Sequence, residues 1–195
     1  EKKGFPVSCS IYVIEEDDQN NLWLRTNQGL IKFNPDNNTF KFYDERDGLK
    51  NCKSIYQGFQ AFYRSRKGIM YYGTANNIAF FHPDSIRDNP DTPKVYVTNL
   101  RLFNEPLTIG PNSILKKSIT FTDTIQFAYN QNNLSFEFAA LDFTAPKKNQ
   151  YAYILEGVDK DIVFCGNQYM ATYTNLDPGE YLFKVKGSNN DGIWN

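Results

Sequence analysis

The sequence predicts an all-β protein in which a partial β-propeller of about two blades is followed by an immunoglobulin-like or fibronectin-like β-sandwich. Aromatic residues make up 16% of the chain, including 13 Tyr and 16 Phe, and such residues favour the half-buried surface of a pleated sheet. A segment of the first half recurs one blade length later. The second half contains short segments of alternating apolar and polar residues, and no helical period is sustained.

Charge and length exclude several classes of protein. The 195 residues carry 21 basic and 22 acidic side chains, for a formal net charge of -1. No basic run occurs, so no nucleic acid partner is expected. No stretch approaches the roughly 18 consecutive apolar residues of a transmembrane helix, and residues 1–4 begin no signal-peptide core. The chain is expected to be a soluble fragment of a longer protein, with membrane contact only through a helix outside it.

The three cysteines, Cys9, Cys52 and Cys165, have no C-x-x-C spacing and are odd in number. Neither a zinc site nor a complete disulfide framework is indicated, and both a Cys9–Cys52 bridge and three separate thiols stay open. The acidic run at residues 15–18 is of a kind that binds calcium or, more often, forms a solvated turn between strands. We predict no metal site and no cofactor.

The internal repeat lies in the first 92 residues. Residues 23–36 align with residues 71–84, which places Trp23 on Tyr71 and makes Thr, Phe, Pro and Asp coincide at four positions. The shift of 48 residues is within the range of about 40 to 50 residues for one four-stranded propeller blade. The repeat therefore predicts propeller blades.

Each copy has the pattern of a β-hairpin. Polar turns at residues 26–29 and 74–77 contain the Gly or Asn that a tight hairpin turn requires. Pro-Asp then ends each hairpin, because Pro donates no hydrogen bond to a strand ladder. A further strand is predicted at residues 39–43, and residues 44–49 cross to the next blade. His82 precedes the second Pro-Asp and is predicted to be a turn residue.

A Pro, Asp and Asn cluster at residues 88–93 predicts the domain boundary. We therefore assign residues 1–92 to propeller blades and residues 93–195 to the sandwich, whose last strand is expected to be truncated. Short alternating segments with turn signals between them are typical of a β-sandwich. The predicted strands lie around residues 95–102, 125–129, 134–138, 151–155, 169–173 and 181–185.

The residues of these segments resemble two known families. The segment from Asn21 to Leu30, followed by residues 33–35 and later by residues 47–49, resembles the two-component regulator propeller repeat. Four later segments resemble the Y_Y_Y domain; they lie at residues 134–142, 151–157, 171–181 and 188–194. The order of propeller followed by Y_Y_Y is part of the resemblance, which covers nearly the whole chain.

The resemblance implies the periplasmic sensor region of a hybrid two-component histidine kinase, placed on the periplasmic side of the inner membrane. It implies an oligosaccharide ligand bound by the complete propeller, and a homodimeric receptor. Two departures bear on this. The family has an aromatic residue, commonly Trp, after Asp-Lys-Asp, whereas this chain has Ile162, which is expected to fill the same core position less fully. Only about two blades are present, so a complete ligand site cannot be built from this chain.

Trp23 and Arg25 are the candidate ligand contacts. They share one face of a strand near a hairpin end, where propeller ligand sites gather, although the same pattern is typical of a core between blades. The structural signature of the resemblance is a set of sandwich residues, and Tyr173 is expected to place its hydroxyl against turn backbone. The set is Tyr151, Tyr153, Tyr173, Pro178, Gly179, Tyr181 and Trp194.

Enzymatic readings have little support. His82 is the single histidine, which removes most Ser-His-Asp and Cys-His arrangements, and no glycine-rich phosphate loop opens a helix. We predict no catalytic residue in this fragment. Two other classes stay open: a non-signalling carbohydrate-binding or adhesion module, and an accessory domain of a polysaccharide-cleaving enzyme.

Overall fold

The structure, a computed structural model, describes residues 9–50, 52, 61–74 and 76–195. The chain divides into two compact units, Glu1–Asp88 and Asn89–Asn195; the boundary predicted after residue 92 stays a prediction. The described residues form β-strands and short 3-10 turns, with no α-helix among them. The all-β fold class, with a propeller-like part followed by a β-sandwich, is confirmed.

The first sheet of the first unit is a four-stranded antiparallel meander. Its strands are β1 (Ile11–Glu16), β2 (Leu22–Thr26), β3 (Gly29–Asn34) and β4 (Thr39–Tyr43). Gly29 has a φ of 140°, and a Cβ at this position would lie 2.5 Å from the carbonyl oxygen of Tyr43. Only glycine therefore fits where the β2–β3 hairpin closes against the end of β4.

The second sheet repeats the first. It contains β5 (Phe62–Arg64), β6 (Met70–Gly73) and β7 (Ile78–Phe81). Trp23 is paired with Glu15 and Lys32, and its repeat equivalent Tyr71 is paired with Tyr63 and Phe80. Each partner is shifted by the same 48 residues as the sequence repeat (Trp23 to Tyr71), so the two sheets share one strand register.

The residues after the two hairpins are equivalent in structure as well as in sequence. Asn34 Oδ1 accepts a hydrogen bond from the backbone N–H of Asp36 at 3.0 Å. His82 Nδ1 accepts one from the N–H of Asp84 at 3.3 Å and caps a 3-10 turn at Pro83–Ser85. His82 is thus a turn residue, as predicted.

The core of the first unit lies between its two sheets. Trp23 is completely buried there, with its ring 5.7 Å from that of Tyr43 and 5.0 Å from that of Phe81. These contacts join opposite walls of the core, because Tyr43 belongs to the first sheet and Phe81 to the second. The buried residues of the cluster are Trp23, Leu30, Tyr43, Leu49, Cys52, Phe62, Met70 and Tyr72.

The turn between β1 and β2 is organised by Asp17. Its Oδ2 accepts a hydrogen bond from Trp23 Nε1 at 2.8 Å, and its Oδ1 accepts bonds from the N–H groups of Gln19 and Asn21, each at 2.9 Å. The predicted turn is present, but Asp17 is buried and not solvated. Burial acts to raise the pKa of Asp17, but the hydrogen bonds from Trp23 and Asn21 hold it below its usual value.

The second unit is a β-sandwich of two antiparallel sheets. One sheet has the order β13-β10-β8-β9 and the other β12-β11-β14. Phe138 and Ala140 of the first sheet pack with Tyr151 and Leu155 of the second in one buried cluster. The strands are β8 (Val95–Leu102), β9 (Glu105–Pro106), β10 (Leu134–Ala140), β11 (Tyr151–Glu156), β12 (Val163–Gly166), β13 (Met170–Tyr173) and β14 (Leu182–Gly187).

Three strands of the sandwich differ from the sequence prediction: one expected strand is absent, and the two-residue strand β9 and the strand β12 are present although neither was expected. The strand expected at residues 125–129 is wrong: this segment has no strand assignment. Ile125 and Phe127 are half-buried and alternate with exposed neighbours, which satisfies the pattern without a ladder partner. The structure adds β12, whose residues are mostly exposed and which therefore gives no alternating signal.

We predict that Asp17→Asn lowers the free energy of unfolding of the first unit by about 2 kcal/mol at pH 7, because a neutral amide replaces a buried, hydrogen-bonded carboxylate. The pKa of Asp17 is depressed in the folded chain, so its contribution is present above the unfolded pKa of about 3.9. This contribution is lost as the pH falls through the folded pKa of Asp17. The free energies of unfolding of the wild type and of Asp17→Asn should therefore converge in that pH range.

Urea denaturation in a Trp194→Phe background measures this effect, since the fluorescence then comes from Trp23 alone. Asp36→Asn, at an exposed turn position, is the matched control and should be nearly neutral. Equal effects of the two substitutions would show that the Asp17 network contributes no special stability.

Candidate functional site

Trp23 and Arg25 lie side by side on one face of β2 and point between the two sheets of the first unit. Trp23 is 0% and Arg25 1% exposed. The structure thus brings the two candidate ligand residues together, but within the core. Their role in ligand binding stays a prediction, and it requires that the space between the sheets opens.

Arg25 is a buried cation held by an aromatic ring. Its guanidinium carbon lies 4.4 Å from the ring centroid of Tyr72, a cation–π contact. Its Nε and Nη1 have no hydrogen-bond partner among the residues that the structure describes. Tyr72 donates its hydroxyl to the carbonyl of Cys52 at 3.3 Å. Burial raises the pKa of Tyr72, and the charge of Arg25 opposes this only in part.

A small pocket opens on the first unit at the turn after β4. One side of it begins at Gly48, which takes a left-handed conformation with φ 92° at the end of the turn that Asp44 caps. Opposite lies the β6–β7 turn, in which the N–H of Thr74 donates to the carbonyl of Asn77 at 2.8 Å. The pocket has a volume of about 200 Å³ and is lined by Gly48, Leu49, Lys50, Thr74, Asn77, Ile78 and Ala79.

The chemistry of this pocket suits a polar ligand with an apolar side. Lys50, Thr74 and Asn77 line it beside Leu49, Ile78 and Ala79, and the Thr74 hydroxyl is bonded to the backbone of Asn77. Sites for small molecules combine apolar walls with a few polar groups in this way, although at roughly 300 Å³ or more they are larger. Neither Trp23 nor Arg25 lines it. Sequence reasoning missed this pocket because most of its residues lie in or beside turns, which show no periodic pattern, and the rest come from the start of β7.

A second set of functional candidates surrounds Asn89, at the start of the second unit. Asn89 Nδ2 donates to Asp142 Oδ2 at 2.6 Å, and the Asn89 N–H donates to Asp191 Oδ2 at 2.7 Å. The fully buried Asn189 donates from Nδ2 to the carbonyls of Asn89 and Asp91, each at 2.8 Å. This network ties the first residues of the sandwich to the loop before Trp194.

Asn89 was not singled out from the sequence, although Asn189 and Asp191 lie in a segment that carries the family resemblance. The pattern could have found them only as part of that motif, because asparagine in a loop is common. The described residues contain no group of three or more His, Cys, Asp or Glu side chains placed to hold a metal ion.

The signature tyrosines occupy structural positions. Tyr151 is buried, and its hydroxyl accepts a hydrogen bond from the N–H of Ala140 at 3.1 Å, which joins the two sheets. Tyr153 packs edge-on against Tyr173 with 6.3 Å between ring centroids. Burial raises the pKa of Tyr153, and the charges around it act in the same direction.

The hydroxyl of Tyr173 makes a different contact from the expected one. It donates to the side-chain oxygen Oδ2 of Asp159 at 2.5 Å, and the same oxygen accepts the N–H of Leu155 at 2.7 Å. The contact with turn backbone is made by Tyr181, whose hydroxyl donates to the carbonyl of Asp177 at 2.7 Å. Burial, then the bond to Asp159, raises the pKa of Tyr173 far above its usual value.

The two turn residues of the signature explain why Tyr181 makes this contact. Pro178 and Gly179 follow Asp177 in the chain, and a Cβ on Gly179 would meet the Tyr181 hydroxyl at 3.5 Å. The ring therefore lies directly over its own turn. Tyr173 instead ends β13 with its side chain in the core, where the carboxylate of Asp159 is the acceptor within reach.

Two further predictions concern the edge of the β12-β11-β14 sheet. Ile162 is 46% exposed, so the expectation that it fills a core position is wrong. Trp194 forms a bridge with Ser188 and packs edge-on against Phe164 at 5.9 Å. Lys186 Nζ lies 5.3 Å from the Trp194 ring. Trp194 therefore covers the outer face of this sheet.

The three cysteines are free thiols, which answers the question left open by the sequence. Cys52 is buried and Cys165 half-buried, and burial raises the pKa of both thiols. Raised pKa values keep thiols protonated and weakly nucleophilic. Cys52 and Cys165 are thus packing residues.

Comparison with known proteins shows which proteins have a similar sequence and architecture. Residues 142–195 match the model of the Y_Y_Y domain. The chain is 36% identical over 187 residues to Histidine kinase P4 of Formosa agariphila, across 95% of this chain and 13% of that protein. It also superposes on the crystal structure of the extracellular domain of a hybrid two component system from B. thetaiotaomicron, with a TM-score of 0.75 and 27% identity, covering 100% of this chain and 26% of that one.

Two propeller-like sheets followed by a β-sandwich are thus similar throughout to the extracellular domain of a hybrid two component system. The predicted resemblance to the sensor region of a hybrid two-component kinase is confirmed, with a Y_Y_Y domain at residues 142–195. The predicted location outside the cytoplasm is confirmed by the same structural match. In the described part of the chain no helix is long and apolar enough to cross a membrane.

We predict that Tyr173→Phe destabilises the sandwich by about 1 to 2 kcal/mol at pH 7, because the carboxylate of Asp159 loses a buried donor. The pKa of Tyr173 is raised in the folded chain. The hydroxyl therefore contributes fully below the unfolded pKa of about 10, and its contribution is lost as the pH rises above that value.

Urea denaturation followed by circular dichroism at pH 7 and above pH 10 measures the difference. Tyr169→Phe, one residue before β13 and 62% exposed, is the matched control and should change nothing. If the free energy of unfolding of Tyr173→Phe stays below that of wild type by the same amount over this pH range, the assigned role of the Tyr173–Asp159 bond is contradicted.

Proposed function

We propose that this chain is an input and relay segment in the sensor region of a membrane-bound hybrid two-component histidine kinase that responds to an oligosaccharide. One observation carries the proposal: the propeller-like sheets and the Y_Y_Y sandwich follow each other in one chain, and the likeness to Histidine kinase P4 extends over 95% of it. The chain spans only 13% of that relative. Kinase activity, ligand and homodimeric assembly are therefore proposed for the longer protein.

The pocket at the turn after β4 supports a carbohydrate ligand. Lys50 and Asn77 have side chains that can hydrogen-bond to a ligand, and Ile78 and Ala79 have apolar ones; sugars present hydroxyl groups and apolar C–H faces together. A volume of about 200 Å³ fits one sugar ring. Further rings would be held by other blades of the complete propeller.

The sandwich is suited to a mechanical relay and is assigned no catalytic step. Phe136 of β10 and Phe183 of β14 stack across the two sheets at 4.1 Å with 8° between their planes. Tyr151 adds a hydrogen bond between the sheets. Such a core moves as one body. A ligand that favours one arrangement of the propeller can therefore bias the parts of the receptor beyond the sandwich only through its differential affinity for two states.

We predict that Lys50→Ala in the complete receptor weakens oligosaccharide binding about tenfold, because one charged hydrogen bond is lost. Calorimetric titration of the complete extracellular region with an oligosaccharide panel measures affinity. Phosphorylation of the receptor in membranes measures output. Lys67→Ala, at an exposed position of the same unit, is the control and should affect neither.

The outcomes separate the alternatives. Binding that is reduced by Lys50→Ala and followed by a matching loss of phosphorylation supports the proposal. Binding without any change in phosphorylation would indicate a non-signalling carbohydrate-binding module. Phosphorylation that responds to no member of the panel would contradict the oligosaccharide ligand while leaving the sensor assignment in place.

A further inference from the structure

The side chain of Asn189 uses its full hydrogen-bonding capacity. Its Nδ2 donates to the backbone carbonyls of Asn89 and Asp91, each at 2.8 Å. Its Oδ1 accepts the N–H groups of Asp191 and Ile193, each at 2.9 Å. A primary amide has two donor hydrogens and two acceptor lone pairs, so all four are used. Because Asn189 is 0% exposed, water does not replace a bond that is lost.

The two carbonyls belong to residues 89–91, where the chain passes from the first unit to the second. Asn89 Oδ1 accepts the N–H of Asp91 at 3.1 Å, which folds this segment into a turn. In an extended strand residues i and i+2 lie about 6.7 Å apart, too far for one nitrogen to bond both carbonyls at 2.8 Å. The bonds of Asn189 therefore require the folded form of residues 89–91, which we call the junction turn.

On its other side Asn189 organises the loop after β14. Besides the two bonds to its Oδ1, its backbone N–H donates to the carbonyl of Ile193 at 3.0 Å. The chain then lies beside the end of β14, where the N–H of Asn195 donates to the carbonyl of Gly187 at 3.2 Å. The conformation of residues 190–195 is thus set in large part through Asn189.

We propose that Asn189 is a positioning residue of the relay, which couples the conformation of the junction turn to that of residues 190–195. Opening of the junction turn leaves the buried amide without acceptors, so it is favoured only together with a rearrangement of the loop that Asn189 organises. Such coupling is reciprocal: a change at residues 190–195 shifts the junction turn by the same factor. The inference rests on the proposed relay role of the sandwich and names the contact through which the junction acts on that stiff body.

The first test uses the complete receptor in membranes and the variant Asn189→Asp. A carboxylate has the shape of the amide but cannot donate to the two junction carbonyls. We expect oligosaccharide affinity, titrated on the complete extracellular region, to stay within about twofold of wild type, because Asn189 lies in the relay and not in the binding site. The ratio of phosphorylation with and without oligosaccharide should fall about fivefold.

Ser135→Ala is the matched control for this test. It removes a buried hydroxyl that is bonded to Thr172 at 2.9 Å, at the far end of β10 from Asp142 and the junction turn. This variant should keep the wild-type phosphorylation ratio.

Hydrogen exchange in the 195-residue chain tests the coupling without a ligand and does not depend on whether Asn189→Asp folds. Asn89→Ala removes the side chain that holds the junction turn. We expect the N–H of Ile193, which is bonded to Asn189, to exchange about fivefold faster in this variant. The N–H of Phe138, bonded within the sandwich core, should be unchanged. Asn167→Ala, at an exposed turn position, is the control and should alter neither.

The outcomes separate this inference from the proposed function. A full response in Asn189→Asp, or an equal loss of response in Ser135→Ala, would overturn the inference and leave the sensor assignment in place. Weaker oligosaccharide binding by Asn189→Asp would also overturn it, because it would assign Asn189 to the ligand site. If the wild-type receptor responds to no oligosaccharide, the proposed ligand fails and hydrogen exchange decides alone: equal exchange of Ile193 in Asn89→Ala and wild type contradicts the coupling.

Discussion

The structure depends on one constraint: a β-sheet persists only when another layer covers an apolar face of it. The first unit meets this constraint by placing Trp23 and Tyr43 of one sheet against Phe81 of the next. The second unit meets it by packing Phe138 against Tyr151 across a sandwich. The turns and caps matter because they set the strand registers that bring these faces together.

The carboxylates that lie in or beside the two cores are hydrogen-bonded. Asp17 is buried beside Trp23 and accepts bonds from an indole and from backbone N–H groups, and Asp159 similarly accepts bonds from Tyr173 and from backbone. Buried polar groups are normally satisfied in this way. Arg25 differs, because the Tyr72 ring is the main partner of its charge. A buried cation compensated by an aromatic ring makes the interface between the two sheets sensitive to separation.

The sequence predicted the features that local chemistry determines. Turn residues require particular backbone conformations, so the repeat, its hairpins and the strand at residues 39–43 could be located. Features that depend on a partner strand could not be predicted. Residues 125–129 alternate between apolar and polar side chains like a strand but pair with no strand, whereas β12 pairs with β11 but shows no such alternation. The pocket at the turn after β4 and the bonds of Asn89 join segments far apart in the chain, and no local pattern encodes such contacts.

The same distinction explains how the two propeller copies have diverged. Three of the four retained residues lie at the ends of the hairpin strands or after them, Thr26 with Thr74, Pro35 with Pro83 and Asp36 with Asp84, and the fourth, Phe33 with Phe81, lies in the second strand of each hairpin. Among the replaced residues are three on the face of Trp23, namely Trp23, Arg25 and Lys32, where the second copy has Tyr71, Gly73 and Phe80. The Pro-Asp turn after the hairpin is the same in both copies, whereas the faces differ because each packs against a different neighbour. Arg25 lies over the Tyr72 ring, and a neighbour without an aromatic residue at that position would bury the guanidinium without this contact, so the pair favours one neighbour over another. A site assembled from several blades requires such a unique order, because each blade must bring its own side chains to a defined position.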